Sequence, residues 1–321
     1  MLKEQLRLIC LRKEKFIKTT EGLYKLTISK YFEKYGLEYK RNFSTSRLSS
    51  IKAGGCAKYI VYPKSTDEAV LSIKLSKSLL GKYKIIGGCT NTFFSDEGFN
   101  GAIICTKKLN REEFCDFNVI AEAGASLTAV IKKAAENGIK LCNGLFGIPG
   151  TVGGAIRNNA GAYNSSVSDI LVQGVFYDVA LDKIKRLDKS DLLFSYRDSL
   201  LQREDLVFLS GVFKGEKSDK HSFAKEIKII TERRRFSQPT EPSLGSFFKR
   251  TENVIPAALI DRAGLKGIRK GGAEVSTKHA GFIINTGTAT ATDINTLANN
   301  IENAIFEKYG VILKREAEFV E

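Results

Sequence analysis

The chain has 321 residues, of which 43% are hydrophobic, and its formal net charge is +14. This length is sufficient for two or three domains of ordinary size, and no apolar run approaches the roughly 20 residues that a membrane-spanning helix needs. The first residues show neither the apolar region nor the small-residue cleavage site of a signal peptide, so we expect a cytoplasmic protein.

Cysteine and histidine usage argues against a metal centre and against a disulfide framework. The sequence has two histidines, and its six cysteines are scattered without a CxxC pair. We therefore expect no bound metal and mostly buried, reduced thiols. Cys89 differs from the others because it lies in a glycine-rich turn.

The excess positive charge is concentrated near the start of the chain. Residues 1–50 hold 12 Lys and Arg against 5 Glu, a net charge of +7 and half of the total excess. The remaining sequence mixes both signs and has no aromatic-basic signature of an RNA-recognition motif. The charge therefore indicates a mild attraction to anionic substrates and no nucleic-acid partner.

The first half of the chain alternates predicted strands and helices. Residues 1–45 are predicted to be a basic helical segment. A capping box formed by Ser65 and Glu68 predicts a helix that runs to about residue 80, and Ser126 is predicted to cap a second helix that Gly138 ends. Strands are predicted over 58–62, 83–86, 102–105 and 118–123. This pattern is typical of an α+β or α/β nucleotide-binding region.

The second half begins with short strands between residues 170 and 213, followed by a charged segment over 214–220 that predicts a domain boundary. Asp293 is predicted to cap the last helix, which Gly310 ends. Two further helices are predicted over 223–235 and 254–263, and a final strand over 311–313.

A glycine-rich segment over 147–163, the second glycine loop, is the most informative feature. It places five glycines and a proline between residues 147 and 161. Ordered glycines allow a backbone to approach a phosphate-bearing ligand closely. A flexible surface loop is the alternative, but Ile148, Val152 and Ile156 supply apolar anchors that a flexible linker would lack.

A shorter glycine-rich turn over residues 87–91, the first glycine loop, follows a predicted strand. Its sequence Gly-Gly-Cys-Thr-Asn is neither a Walker A motif nor a GxGxxG motif, so on its own it is weak evidence for phosphate binding. Together, the two loops suggest that the chain holds one dinucleotide.

Several further segments occur in a recognisable order. They are Phe194-Ser195-Tyr196-Arg197-Asp198-Ser199, Gly245-Ser246-Phe247-Phe248-Lys249, residues 259–285, and Arg315-Glu316-Ala317-Glu318-Phe319. With the second glycine loop, they resemble the UDP-N-acetylenolpyruvoylglucosamine reductase (MurB) family over residues 45–321. The short gap of 49 residues between Arg197 and Ser246 resembles the type II form, which lacks an extra tyrosine loop.

The resemblance implies an α+β protein with an FAD-binding domain of the vanillyl-alcohol-oxidase (PCMH) type in two subdomains over 46–216. A C-terminal α+β substrate-binding domain over 217–321 follows it. The implied cofactors are tightly bound FAD and the co-substrate NADPH. The implied FAD-binding residues are Gly87, Gly88, Cys89, Thr90, Asn91, Gly124, Ile148, Pro149, Gly150, Thr151, Gly153, Gly154, Ala155, Asn159 and Gly161.

The implied reaction is the NADPH-dependent reduction of UDP-N-acetylglucosamine enolpyruvate to UDP-N-acetylmuramate, a step of peptidoglycan synthesis. Hydride adds at the enolpyruvyl C3, and C2 is then protonated. We expect these small molecules as partners, no membrane insertion and a monomer. A flavin-dependent alcohol oxidase and a basic nucleic-acid-binding protein remain as alternatives.

Three residues carry the implied catalysis. Hydride addition drives negative charge onto the substrate carboxylate, and a guanidinium such as that of Arg197 stabilises it through paired donors. Ser246 is implied as the proton donor to C2. Glu316 is expected to assist as a protonated acid with a raised pKa.

Each of these residues also has an alternative interpretation. Arg197 fits a surface ion pair equally well on its own segment, and Ser246 is otherwise a turn serine after Gly245. Glu316 is preferred to Glu318, although either side chain could be a solvated charge. Lys249 is the predicted substrate-binding cation.

The sequence also departs from the family pattern. Cys89 and Thr90 stand where Gly-Ser is usual before Asn91, and Arg250 stands where asparagine is frequent. We expect the Cβ atoms at 89 and 90 to tighten the pyrophosphate turn.

Overall fold

The computed structural model describes residues 17–19, 22–24, 27–217 and 220–321. Within these residues, none of the helices has the length and apolarity that a membrane span requires. The α-helices are α1 (Ile28–Lys34), α2 (Thr66–Leu80), α3 (Leu127–Glu136), α4 (Val152–Arg157), α5 (Lys220–Ser237), α6 (Pro256–Arg262) and α7 (Ala291–Tyr309).

The strands form three larger sheets and several two-stranded pairs. In chain order they are β1 (Ile17–Thr19), β2 (Gly22–Tyr24), β3 (Tyr39–Ser44), β4 (Cys56–Val61), β5 (Tyr83–Ile86), β6 (Thr92–Phe94), β7 (Phe99–Cys105), β8 (Glu112–Cys115), β9 (Asn118–Glu122), β10 (Ile139–Lys140), β11 (Gly161–Ala162), β12 (Ser165–Ser166), β13 (Leu171–Asp178), β14 (Lys183–Asp188), β15 (Leu206–Lys214), β16 (Glu216–Lys217), β17 (Ser243–Ser246), β18 (Arg269–Lys270), β19 (Ala273–Val275), β20 (Phe282–Asn285) and β21 (Glu318–Val320).

The first two sheets lie in the part of the chain before α5. The first sheet has the order β3-β4-β7-β5, in which β4 and β5 both run parallel to β7 and β3 is antiparallel to β4. The second sheet is antiparallel, with the order β14-β13-β15-β9-β8. Val130 and Ile131 of α3 are buried in one core with residues of β9 and β15. The first glycine loop, which follows β5, meets the part of the second glycine loop that precedes α4, where Thr90 Oγ1 donates to Pro149 O.

The third sheet, with the order β17-β20-β19-β18, packs against α7. The apolar stripe of α7, which includes Ile294, Leu297 and Ile301, is buried in the core beside this sheet. Burying such a stripe is the main source of stability for a helix of this length.

The third sheet and the earlier part of the chain share one core. Phe93 of β6 is fully buried, and its ring centroid lies 4.9 Å from that of Phe319 and 6.2 Å from that of Phe247. In addition, β6 and β21 pair in parallel. The Asp96 carboxylate accepts hydrogen bonds from the N–H groups of Ala291 and Thr292, at 2.9 and 2.8 Å, and so caps α7.

Several predicted elements are confirmed. The strand predicted over 83–86 coincides with β5, and the Ser126 hydroxyl caps α3. Gly310 ends α7 with a φ of 67°, a left-handed conformation that favours glycine. The predicted capping box at α2 is only half formed, because the Glu68 carboxylate accepts from Lys64 N and not from Ser65 N.

Three predictions are wrong in part. Residues 1–45 are not one helical segment: α1 is helical, but β1 and β2 form a hairpin and β3 pairs with β4. Hydrogen bonding to a partner strand here outweighs local helical preference. Residues 1–16, 20–21 and 25–26 of that prediction lie outside the described residues.

The other two corrections concern the last elements. No strand forms over 311–313; the strand is β21, because Glu318 and Phe319 find partners in Thr92 and Phe93. Thr290, not Asp293, is the N-cap of α7, and Asp293 completes its capping box from the third helical position.

Candidate active site

A cavity of about 670 Å³ is lined by both glycine loops, by the segment around β17 and by residues 315–318. It brings together residues that are separated by more than 200 positions in the sequence. Gly87, Gly88, Cys89, Thr90 and Asn91 of the first glycine loop all line it. From the second glycine loop it is lined by Ile148, Pro149, Gly150, Thr151, Gly154, Ala155 and Gly161.

The two glycine loops approach each other too closely for larger residues. A Cβ atom added at Gly88 would lie 2.8 Å from Gly150 Cα, and one added at Gly87 would collide with Thr151 Oγ1. Gly150 has a φ of 127°, which an L side chain would strain. The Thr90 hydroxyl donates to Pro149 O at 3.1 Å and so joins the two loops.

The first glycine loop also leaves backbone donors available. Among the described residues, the N–H groups of Gly88, Cys89 and Thr90 have no hydrogen-bond acceptor. Buried or half-buried N–H groups normally have partners, so these donors fit an anionic ligand such as a diphosphate. The first glycine loop is therefore suited to the diphosphate of a dinucleotide.

Arg197 and Glu316 face each other in this cavity. Arg197 Nε lies 2.9 Å from Glu316 Oε1, and their side chains are 21% and 16% exposed. This contact is an ion pair, but the Nε–H is poorly aligned on the carboxylate and has no other acceptor among the described residues. Arg197 also has a φ of 53°, which is rare for a side-chain-bearing residue and is a form of strain found at functional sites.

The two carboxylates of the last motif differ in their electrostatic environment. Burial raises the pKa of Glu316, although Arg197 and Lys249 act in the opposite direction. Burial also acts on Glu318, but its ion pairs with Lys84 and Arg157 outweigh it and the pKa of Glu318 is lowered. Glu316 is thus the better candidate for a carboxyl that keeps its proton.

Ser246 and Lys249 lie on the same cavity as this pair. Ser246 is the last residue of β17, and it follows Gly245, whose φ is 77°. Lys249 Nζ donates to the backbone carbonyl of Arg197 at 3.2 Å. The structure therefore brings together all four residues that the sequence predicts for catalysis and substrate binding.

Comparisons with known proteins agree with this arrangement. Residues 238–320 match the family described as UDP-N-acetylenolpyruvoylglucosamine reductase, C-terminal domain, and residues 57–182 match the FAD binding domain family. A protein of Caldicellulosiruptor bescii named UDP-N-acetylenolpyruvoylglucosamine reductase is 40% identical over 294 residues, which cover 90% of this chain and 93% of the relative. One of Clostridium tetani with the same name is 38% identical, covering 91% and 96%.

This chain belongs to the UDP-N-acetylenolpyruvoylglucosamine reductase family. The crystal structure of the reductase from Thermus caldophilus has a TM-score of 0.75 with it at 25% identity, and the match covers 89% of this chain and 99% of that one. The predicted α+β fold, with an FAD-binding domain and a C-terminal domain, is thereby confirmed. FAD is the cofactor that the two glycine loops fit. The domain boundaries at residues 45/46 and 216/217 stay predictions.

Three residues predicted to bind FAD lie away from the cavity wall of this reductase-family chain. Gly124 N donates to Leu109 O at 2.7 Å, and Gly153 N donates to Ala123 O at 2.8 Å. Asn159 is buried, and its amide donates to Ser195 O at 2.9 Å. The backbone groups of Gly124 and Gly153 thus bond to neighbouring backbone, and the amide of Asn159 bonds to the segment that precedes Arg197.

Sequence reasoning missed some cavity residues. Arg234 was predicted only as part of a helix, yet its guanidinium carbon lies 5.3 Å from the ring centroid of Tyr163 and its Nε donates to Phe146 O. One terminal nitrogen of Arg234 is buried without an acceptor. Arg157 also lines the cavity. The run of three arginines from 233 to 235 was the available signal.

His279 has a structural position. Its Nδ1 accepts from Gly281 N at 3.1 Å, and its ring lies 4.8 Å from that of Phe282. Burial lowers the pKa of His279. These contacts favour a neutral ring that fixes the turn before β20.

Proposed function

We propose that this chain reduces UDP-N-acetylglucosamine enolpyruvate to UDP-N-acetylmuramate with NADPH as the reductant. Family membership supports the reaction class and the cofactor FAD. The observation that carries the assignment of residues is the half-buried Arg197–Glu316 pair on the cavity that the glycine loops line. Bound FAD, once reduced by NADPH, would supply the hydride that adds at the enolpyruvyl C3.

Arg197 is the residue that we assign to the substrate carboxylate. Addition at C3 moves negative charge through C2 onto that carboxylate, and a permanently charged guanidinium stabilises it most strongly where water is excluded. The side chain of Arg197 is 21% exposed, and among the described residues its Nε–H makes no well-aligned hydrogen bond, although it lies 2.9 Å from Glu316 Oε1. Both properties support a group that is poised to bind an anion.

Ser246 and Glu316 are assigned to the proton at C2. A serine hydroxyl is a weak acid, so it needs groups that favour the loss of its proton. Lys249 supplies a nearby positive charge, and the raised pKa of Glu316 allows that carboxyl to donate a hydrogen bond to the developing enolate. We assign Ser246 as the donor and Glu316 as the stabilising acid.

The proposal also includes the finer predictions for the protein as a whole. It acts as a cytoplasmic monomer of the type II form, and Lys249 binds the substrate. The FAD-binding domain covers residues 46–216, and the substrate-binding domain covers residues 217–321.

Stopped-flow absorbance of the flavin separates the two half-reactions and tests the proposal. FAD-loaded protein is reduced with NADPH without oxygen, and UDP-N-acetylglucosamine enolpyruvate is then added. The wild type should reoxidise rapidly, whereas Ser246→Ala should be reduced normally and reoxidised about a hundredfold or more slowly. A wild-type flavin that stays reduced until oxygen is admitted would support an alcohol oxidase instead.

Ser237→Ala is the matched control for this experiment. Ser237 lies on the exposed end of α5, and its hydroxyl donates to Arg233 O at 2.8 Å. Both half-reactions should be unaffected. If Ser246→Ala slows reduction and reoxidation equally, the role of Ser246 as proton donor is wrong.

A further inference from the structure

The side chain of Asn91 is engaged with the segment that carries Glu316. Asn91 Nδ2 donates to Glu316 O at 2.8 Å. The backbone carbonyl of Asn91 in turn accepts from Glu318 N at 2.9 Å. One residue of the first glycine loop thus makes a hydrogen bond on either side of Ala317.

The other side of Glu316 is also fixed. Glu316 N donates to Phe247 O at 2.8 Å, and Phe247 follows Ser246 directly. The backbone of Glu316 is therefore held between the segment of the proton donor and the first glycine loop. Only side-chain rotation is left to place its carboxyl beside Arg197.

We propose that Asn91 is a positioning residue, whose amide holds Glu316 against Arg197 and so ties the cofactor loop to the protonation chemistry. This inference rests on the proposed function. A carboxamide suits the task because its NH2 group donates without bringing a charge to the cavity. An aspartate at this position would have the same size but, when ionised, no donor.

Arg197 and Lys249 are the cations that act on the Glu316 carboxyl. Its neighbour Arg315 is turned toward α7, where it donates to Glu302, Asn295 and Asn299. Glu318 is paired with Lys84 and Arg157. A displacement of Glu316 therefore changes its burial and its distance from Arg197, and these set its titration.

Two variants, Asn91→Asp and Asn91→Ala, remove the donor, and only the first adds charge. Because Asn91 belongs to the first glycine loop, both variants are assayed at saturating FAD, and their reduction by NADPH is measured separately from their reoxidation. Reoxidation by UDP-N-acetylglucosamine enolpyruvate should be about 10-fold to 100-fold slower, the scale expected when a catalytic group is misplaced by about 1 Å. In Asn91→Ala, which adds no charge, the high-pH limb of the reoxidation rate should also move to lower pH, because a less buried Glu316 loses its proton more easily.

Asp96→Asn is the matched control. It weakens another contact between the FAD-binding part of the chain and α7, without touching the segment of Glu316. Its reoxidation limb should stay at the wild-type pH. A merely structural role of Asn91 would predict the same behaviour for both positions.

The outcomes distinguish a failure of the proposed function from a failure of the positioning role of Asn91. If the wild type itself is not reoxidised by the enolpyruvyl sugar, the proposed function fails. If the wild type is reoxidised and both Asn91 variants keep its rate and its pH limb, the positioning role is wrong. If both variants at saturating FAD slow reduction by NADPH as much as reoxidation, the positioning role is equally wrong, since Asn91 would then act through the cofactor alone.

Discussion

Glu316 and Glu318 are two positions apart on one segment, yet the structure gives them opposite pKa shifts from the ordinary value of 4.5. We predict that replacing each with glutamine changes stability with opposite dependences on pH. The comparison is controlled internally, because both substitutions remove one carboxylate and nearly preserve size.

Glu318→Gln should destabilise the protein at neutral pH. The lowered pKa of Glu318 means that the unfolded chain binds its proton more readily, so the ionised group stabilises the fold above the unfolded pKa. The side chains of Glu318 and Lys84 are 34% and 22% exposed, so the exposure of this ion pair lies between that of a surface pair and that of a buried pair. We expect a loss of about 1–2 kcal/mol at pH 7, between the values for those two limits. The loss should vanish as the pH falls below about 4.5 through the lowered pKa.

Glu316→Gln should behave in the opposite way. The raised pKa of Glu316 means that the folded state holds the proton more tightly, so stability falls as the pH rises from 4.5 through the folded value. Glutamine has no proton to lose, and the variant should therefore gain relative to the wild type over that range. Each unit of the pKa rise corresponds to about 1.4 kcal/mol. The same variant should lose most of its flavin reoxidation by substrate.

Urea unfolding at saturating FAD, repeated between about pH 4 and pH 8, measures both differences. The free energy of unfolding of Glu318→Gln should diverge downward from the wild type as pH rises, and that of Glu316→Gln should diverge upward. Parallel pH profiles for the two variants would refute the assignment of the proton to Glu316.

Three further predictions concern the loops and their contacts. Gly88→Ala should weaken FAD binding about tenfold or more in a flavin fluorescence titration, since separating the loop from Gly150 costs about 1–3 kcal/mol. Burial raises the pKa of Cys89 to about 12, so a thiol reagent at neutral pH should label the exposed Cys56 and not Cys89 in peptide mass spectra. Asp96→Asn should lower the free energy of unfolding by about 0.5–2 kcal/mol, the value of a helix cap. An unchanged FAD affinity would contradict the first prediction, a labelled Cys89 the second, and an unchanged urea midpoint the third.

Local signals predicted the elements whose ends are set by their own residues. The Ser126 cap and the Gly310 stop each act within one turn of their helix, so local sequence was sufficient to predict the start of α3 and the end of α7. The glycine loops were also predictable, because close backbone approach leaves a compositional signature.

Elements that depend on distant partners were not predictable in this way. The position of β21 is set by its pairing with β6, and the apolar run over 311–313 gave a misleading local signal. The FAD contact of Asn159 stays a prediction, and the local sequence does not show that its amide donates to Ser195 O, 36 positions away. Likewise, no pattern near Asn91 indicates that its side chain reaches Glu316.

The parallel pairing of β6 with β21 has a consequence for the order of events during synthesis. Thr92 and Glu318 are 226 residues apart, so β6 waits for its partner while the intervening chain is made. At about 5–20 residues per second this interval is roughly 10–45 s. During that time Phe93 lacks the neighbours that later bury it, and the flavin cavity lacks one wall. Until β21 has been made, the edge of β6 is unpaired and the FAD site is incomplete. Chaperones, rather than the cofactor, are then the molecules that can protect the edge of β6.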